Sequence, residues 1–184
     1  MDAPHHLHIG MRKVKSLLAI IIGFLIWQVI RLFFPDLEVH PLFIYLYGIL
    51  EIRDTSEKTK TLSIQRLKAN GVAFVFALLL IPLRIYMYSR LESTLLLTFL
   101  DLMMILVGSL VTLQLAERLR CGAMTGLAAV YYIILLIYHA GNDRYLYVFL
   151  RASQTVIGVA VAWLVNVVLF PYPSRKQKKE TQEK

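Results

Sequence analysis

The chain has 184 residues, 58% of them hydrophobic, with mean hydropathy +0.61 and a formal net charge of +8. A soluble domain is usually about 45–50% apolar. Here the excess falls in long runs, which excludes a water-soluble globule and gives an integral membrane protein with length for about six crossings. The positive charge is expected on cytoplasmic loops rather than on a nucleic-acid surface, and the single cysteine, Cys121, excludes an intrachain disulfide.

Residues 1–10 are polar and carry His5, His6 and His8. No cysteine or carboxylate stands at ligand spacing beside them, so no metal site is expected. Arg12, Lys13 and Lys15 then open the first helix, 14–34, in which Lys15 and Arg31 snorkel from the two ends. No small-residue cleavage site follows it, so it reads as a mature helix. A turn at Pro35–Pro41 leads to a short second helix, 37–52, about 24 Å long. That is thin for a crossing and suits a re-entrant segment as well. The next loop, 51–68, holds Arg53, Lys58, Lys60, Arg66 and Lys68 and would sit outside if the helix failed to cross, so charge favours a crossing.

The third helix spans 69–88, with Pro82 near its outer end, Arg84 snorkelling, and Tyr86 and Tyr88 at the interface. The fourth, 91–115, contains Asp101. A basic turn precedes the fifth, 121–140, which opens with Gly122-x3-Gly126. Gly-Asn-Asp-Arg at 141–144 is a turn. The sixth helix, 152–170, has 19 residues without formal charge, and Pro171 and Pro173 stop it before a basic tail at 173–184. Small residues at Gly158, Ala160 and Ala162 allow close helix approach.

This layout places 15 of the 20 Lys and Arg residues on inside segments and 5 outside. It predicts an all-α domain over 1–172 with six transmembrane helices, both termini cytoplasmic, in a cell membrane. Arg66-x3-Asn70-x2-Ala73 in the third helix is echoed by Arg151-x3-Thr155-x2-Gly158 in the sixth. The echo suggests two inverted three-helix repeats.

Several stretches together resemble one family. Gly10-Met-Arg-Lys-Val-Lys-Ser-Leu-Leu-Ala19 is similar to the opening of the aromatic acid exporter, or fusaric acid resistance-like (FUSC), membrane proteins of bacteria. Arg53-Asp-Thr-Ser-Glu-Lys58 with Gln65-Arg66 resembles their loop between helices 2 and 3. Arg151 to Asn166 resembles their last helix. The third helix departs from the family pattern: Ala69-Asn70 and Ala73 replace its glycines and threonine. Many members also carry a cytoplasmic domain after the sixth helix, where this chain has the basic tail, so the resemblance is to a short form. It implies a bacterial inner-membrane transporter or channel-like exporter of organic anions, with aromatic carboxylic acids as the substrate class, working as a homodimer. The alternative is a non-transporting membrane subunit that docks a soluble partner through the tail.

Within that frame Arg12, Lys15, Arg66 and Lys68 form an inner basic vestibule, and Arg151 an outer anion contact suited to carboxylates. Positional topology alone also explains each of them. Asp101, alone within a hydrophobic run, is either a proton-coupling group or the structural partner of a basic or amide side chain. Gln154, Thr155 and Asn166 are pathway candidates or interhelical hydrogen-bonding groups, with Thr155 and Asn166 about three turns apart on one face. Gly122, Gly126 and Gly158 are helix-packing candidates. Tyr131, Tyr132 and Trp163 are rings that could stack an aromatic substrate. Enzyme motifs, a nucleotide loop and cofactor sites are absent from the sequence. The expected partners are the lipid bilayer, a small organic anion and a second copy of the chain, with no nucleic acid.

Overall fold

The computed structural model describes residues 10–35, 39–53, 55–137 and 144–170. His5, His6 and His8, the turn residues 141–143 and the tail from 173 lie outside them. The described residues are helical, without a strand. In order they form α1 (Met11–Phe33), α2 (Leu42–Leu50), α3 (Ser56–Arg90), α4 (Thr94–Arg118), a 3-10 turn (Gly122–Met124), α5 (Thr125–Ile137), α6 (Arg144–Trp163) and a π-helical segment (Leu164–Leu169). Among the described residues four helices are long and apolar enough to cross a membrane: α1, α3, α4, and α6 continued to Leu169. The stretch Gly122–Ile137 is apolar but shorter, and α2 has only 9 residues.

Helix ends follow local chemistry. Residues 56–68 are helical rather than a loop. The Thr55 hydroxyl accepts the Lys58 amide at 3.2 Å, an N-cap that starts α3. No glycine or proline interrupts the good helix formers that follow until Gly71. Four of the five basic residues expected in that loop therefore lie on the first turns of α3. α6 begins at Arg144, eight residues before the expected start, because nothing in Arg144–Arg151 breaks a helix and only charge suggested a boundary there. Ser93 caps α4 by accepting the Leu96 amide. α4 ends with Arg120 left-handed at φ 55 and the Cys121 amide bonded to the Ala116 carbonyl at 3.0 Å, a Schellman-type end. Gly122 is also left-handed, at φ 56, and its Cβ position lies 3.1 Å from the Gln65 amide. A side chain there would be both strained and crowded.

The chain divides into two compact units. The first comprises residues 1–60 and 157–184. In it α1 and α2 run antiparallel. A Cβ on Gly23 would meet the Ile44 side chain, and one on Gly48 would lie 3.6 Å from the Cβ of Ala19. Gly158 lies against the α2 backbone, its Cβ position 2.9 Å from the Ile44 carbonyl oxygen and 3.0 Å from that of Phe43. Ala19, Ile52, Val161, Ala162 and Val165 form the core. The second unit comprises residues 61–156. Ala69, Ala116, Cys121, Met124 and Ala128 pack one of its core clusters. The buried stripe of α3 in this unit runs Ser63, Arg66, Asn70, Ala73, Ala77, Ile81, Arg84, at the 3- and 4-residue spacing of one helix face.

Candidate functional site

Among the described residues each unit holds a buried polar cluster that joins several helices. In the second unit the chain reverses between α3 and α4. Arg84, eight residues before Glu92, therefore faces Asp101, nine residues after it. Arg84 Nε donates to Asp101 Oδ1 at 2.9 Å and Nη2 donates to Oδ2 at 3.0 Å. This is a bidentate pair, the strong form of the contact. Tyr88, one turn further along α3, donates its hydroxyl to Asp101 Oδ2 at 2.5 Å. Arg84 Nη1 also donates to the Leu136 carbonyl on α5. One guanidinium thus ties three helices. The expected snorkelling of Arg84 is not what the structure shows. A carboxylate level with the guanidinium outweighs the pull of the interface.

Arg144, at the start of α6, comes to the same place. Its guanidinium carbon lies 6.0 Å from the centroid of the Tyr88 ring, within cation–π reach. The residue is 8% exposed, and its buried Nε and Nη1 have no hydrogen-bond partner among the described residues. Neither Arg84 nor Arg144 was among the pathway candidates read from the sequence. Counting outward from the 91–93 turn was the available signal for the first. For Arg144 there was only its position beside a turn.

Arg151, Gln154 and Thr155 are buried on one face of α6 together with Tyr147. Arg151 Nη1 donates to Gln154 Oε1 at 3.0 Å, and its guanidinium carbon stands 4.9 Å from the Tyr147 ring centroid. The spacing of four back and three forward creates this group. The Thr155 hydroxyl donates to the Arg151 carbonyl at 2.9 Å and lies 3.2 Å from the Tyr131 hydroxyl, with which it is hydrogen-bonded. Tyr132 donates to the Met104 carbonyl at 2.9 Å, and its ring lies over Gly108, where a Cβ would overlap it. Tyr131 and Tyr132 are thus committed to helix packing, while Trp163 is exposed. Arg66, near the other end of the α3 stripe, is buried with Nη2 3.4 Å from Met124 Sδ.

In the first unit Lys15 does not snorkel. It is 2% exposed, and its Nζ donates to Asn166 Oδ1 at 2.9 Å and to the Phe170 carbonyl at 2.6 Å. Asn166 Nδ2 donates to the Arg53 carbonyl at 3.0 Å and to Thr59 Oγ1 at 2.5 Å. The node gathers the start of α1, the start of α3 and the π-helical end of α6. Buried polar atoms must find partners, and the π segment supplies a carbonyl for the ammonium. Arg12 is exposed on the first turn of α1. Gly126 is exposed, with no atom within 4 Å of its Cβ position, so it packs no helix among the described residues.

The family model described as aromatic acid exporter family member 1 matches residues 7–169. The chain belongs to the aromatic acid exporter family. As a member of this exporter family it is a multi-pass membrane protein, and the match includes both polar clusters except Phe170. No curated protein matches the chain, and no solved structure does.

Proposed function

We propose that this exporter moves organic anions, with aromatic carboxylates as the substrate class, and that Arg144, Arg84, Tyr88 and Asp101 form an anion station. The observation that carries the reading is Arg144, a buried guanidinium whose Nε and Nη1 bond no acceptor among the described residues. The second unit also buries Arg66, Arg84 and Arg151, and Asp101, which engages Arg84, is only partly exposed. Buried cations in excess of acids favour an anion, because charges attract strongly where water is excluded. A carboxylate accepts two parallel bonds from a guanidinium, and both Arg84 and Arg144 stand over the Tyr88 ring, at 5.2 and 6.0 Å from its centroid. Arg66 supplies a second charge about 27 Å along the same stripe of α3, with Ala73 and Ala77 between.

The same reading takes the protein as a homodimer in a bacterial inner membrane, with six crossings and both termini cytoplasmic. Its support is the 15:5 charge division, the antiparallel α1–α2 pair, and the node that returns the start of α3 to the end where α1 begins. The test is efflux of benzoate, 4-hydroxybenzoate and a cationic control from proteoliposomes. Arg144→Gln is expected to lower carboxylate efflux about tenfold or more, the worth of one charge-assisted hydrogen bond. Efflux of the carboxylates unaffected by Arg144→Gln, or preference for the cation, would overturn the assignment.

A further inference from the structure

The first unit contains a cavity of about 410 Å³ between the end of α1 and the start of α2. None of its lining residues belongs to either polar cluster. Phe24, Trp27 and Tyr45 supply aromatic wall, and Gln28, Arg31 and His40 supply polar groups; none of its described lining residues is acidic. Arg31 lies in the last turn of α1, where the carbonyl ends of the helix favour a cation.

The cavity continues into one face of α1. Leu17, Ile21, Phe24, Gln28 and Arg31 follow one another at spacings of four and three, so they form a single stripe. Leu17, Ile21 and Phe24 are exposed, and the stripe turns polar where it meets the cavity. From Ile21 to Arg31 the axial distance is about 15 Å. That is the depth of one leaflet of a bilayer with a hydrocarbon core of about 30 Å. A cavity that holds an arginine beside aromatic rings and adjoins an exposed apolar stripe one leaflet deep has the proportions of a single lipid. We infer that this cavity and stripe bind an anionic phospholipid, its phosphate at Arg31 and His40 and one acyl chain along Phe24 and Ile21.

The two tryptophans of the chain make the test direct. Trp27 lines the cavity but is otherwise buried, so lipid reaches it only by entering. Trp163 is exposed and reads bulk lipid. The Trp163→Phe protein, in bilayers with dibrominated phosphatidylglycerol or dibrominated phosphatidylcholine as the minor component, isolates quenching of Trp27. Trp27→Phe isolates Trp163. One arginine facing an anionic headgroup corresponds to roughly fivefold enrichment over the zwitterionic lipid. Trp27 quenching is expected to show this preference, Arg31→Gln to abolish it, Arg31→Lys to retain it, and Trp163 to show none. Equal quenching of Trp27 by both lipids, or a preference that survives Arg31→Gln, overturns the inference. So does relief of the phosphatidylglycerol quenching by millimolar benzoate, which would assign the cavity to a free carboxylate. Absence of quenching by either lipid in a dimeric preparation would assign it to the second copy instead.

Discussion

Arg84 and Asp101 meet through two parallel hydrogen bonds of 2.9 and 3.0 Å, with their side chains only 9% and 20% exposed. Removing one partner of such a pair leaves the other charged and buried, which typically costs about 3–5 kcal/mol. Asp101→Leu is expected to cost this much in reversible unfolding from mixed micelles. Arg84→Met with Asp101→Leu is expected to cost clearly less than the sum of the two single changes. Additive costs, or a single-variant cost below about 1 kcal/mol, would show that the pair contributes little. Asp101→Asn keeps an acceptor for Tyr88 and removes the charge. It is expected to fold, reach the membrane and lose any pH dependence of efflux. A wild-type pH profile in that variant would leave Asp101 as a structural partner of Arg84.

Two glycines, one in α5 and one in α6, should respond in opposite ways. At Gly158 a Cβ would stand 2.9 and 3.0 Å from the carbonyl oxygens of Ile44 and Phe43, backbone atoms that cannot turn aside. Gly158→Ala is expected to destabilise the first unit by about 1–3 kcal/mol, the usual cost of overpacking. At Gly126 the space is open. Gly126→Leu is expected to leave the unfolding free energy of the monomer within about 0.5 kcal/mol of wild type. Its effect on oligomeric state, followed by light scattering in detergent, separates a lipid-facing position from a contact between copies. A Gly126→Leu monomer that unfolds far more readily than wild type would contradict the open space seen there.

The α-helical class and the membrane setting were legible because apolar runs of bilayer length have few other physical solutions. The two echoed motifs, read only as a sign of repeats, are buried throughout: Arg66, Asn70 and Ala73, and Arg151, Thr155 and Gly158. What composition obscured was the role of charge. Lys15 and Arg84 were assigned to interfaces because a lone charge in an apolar run snorkels. Each instead has a partner far away in the sequence, 151 residues for Lys15 and 17 for Arg84. Charge also misplaced helix ends. The basic residues of 58–68 and Arg144 looked like loop markers, yet propensity and the Thr55 cap carried helix through the first set.

Asn166 makes three side-chain hydrogen bonds, accepting from Lys15 and donating both amide hydrogens, to the Arg53 carbonyl and to Thr59. Asn166→Leu would take a hydrogen-bond partner from the Lys15 ammonium, the Arg53 carbonyl and the Thr59 hydroxyl together. A cost of about 2 kcal/mol or more is expected, since each buried unsatisfied group carries about 1–3 kcal/mol. Hydrogen exchange should quicken at two separate stretches, 53–59 and 164–170, because one side chain holds both. Faster exchange confined to the π segment would mean that the contacts to Arg53 and Thr59 do not hold the start of α3.

The same node brings two helix starts together. Lys15 lies on the second turn of α1 and Thr59 on the first turn of α3, and both are bonded to Asn166. The two helix starts are therefore at one end of the first unit. α1 is about 34 Å long, so residues 34–55 must carry the chain back over that distance. α2 does so antiparallel to α1, with Gly23 opposite Ile44 and Gly48 opposite Ala19. Only about 13 Å of this return is α-helical, which is why α2 looked too short to cross when judged by apolar length alone. Lys13, Glu57 and Glu92 are exposed. Single cysteines at these three positions in a Cys121→Ser background should report the arrangement to a membrane-impermeant maleimide. Positions 13 and 57 are expected to label from the same, cytoplasmic side, and position 92 from the opposite one, because α3, which lies between 57 and 92, is long and apolar enough to cross. Labelling of positions 13 and 57 from opposite sides would mean that α2 dips into the membrane and leaves on the side it entered. The node joining Lys15, Asn166 and Thr59 could not then form in the bilayer.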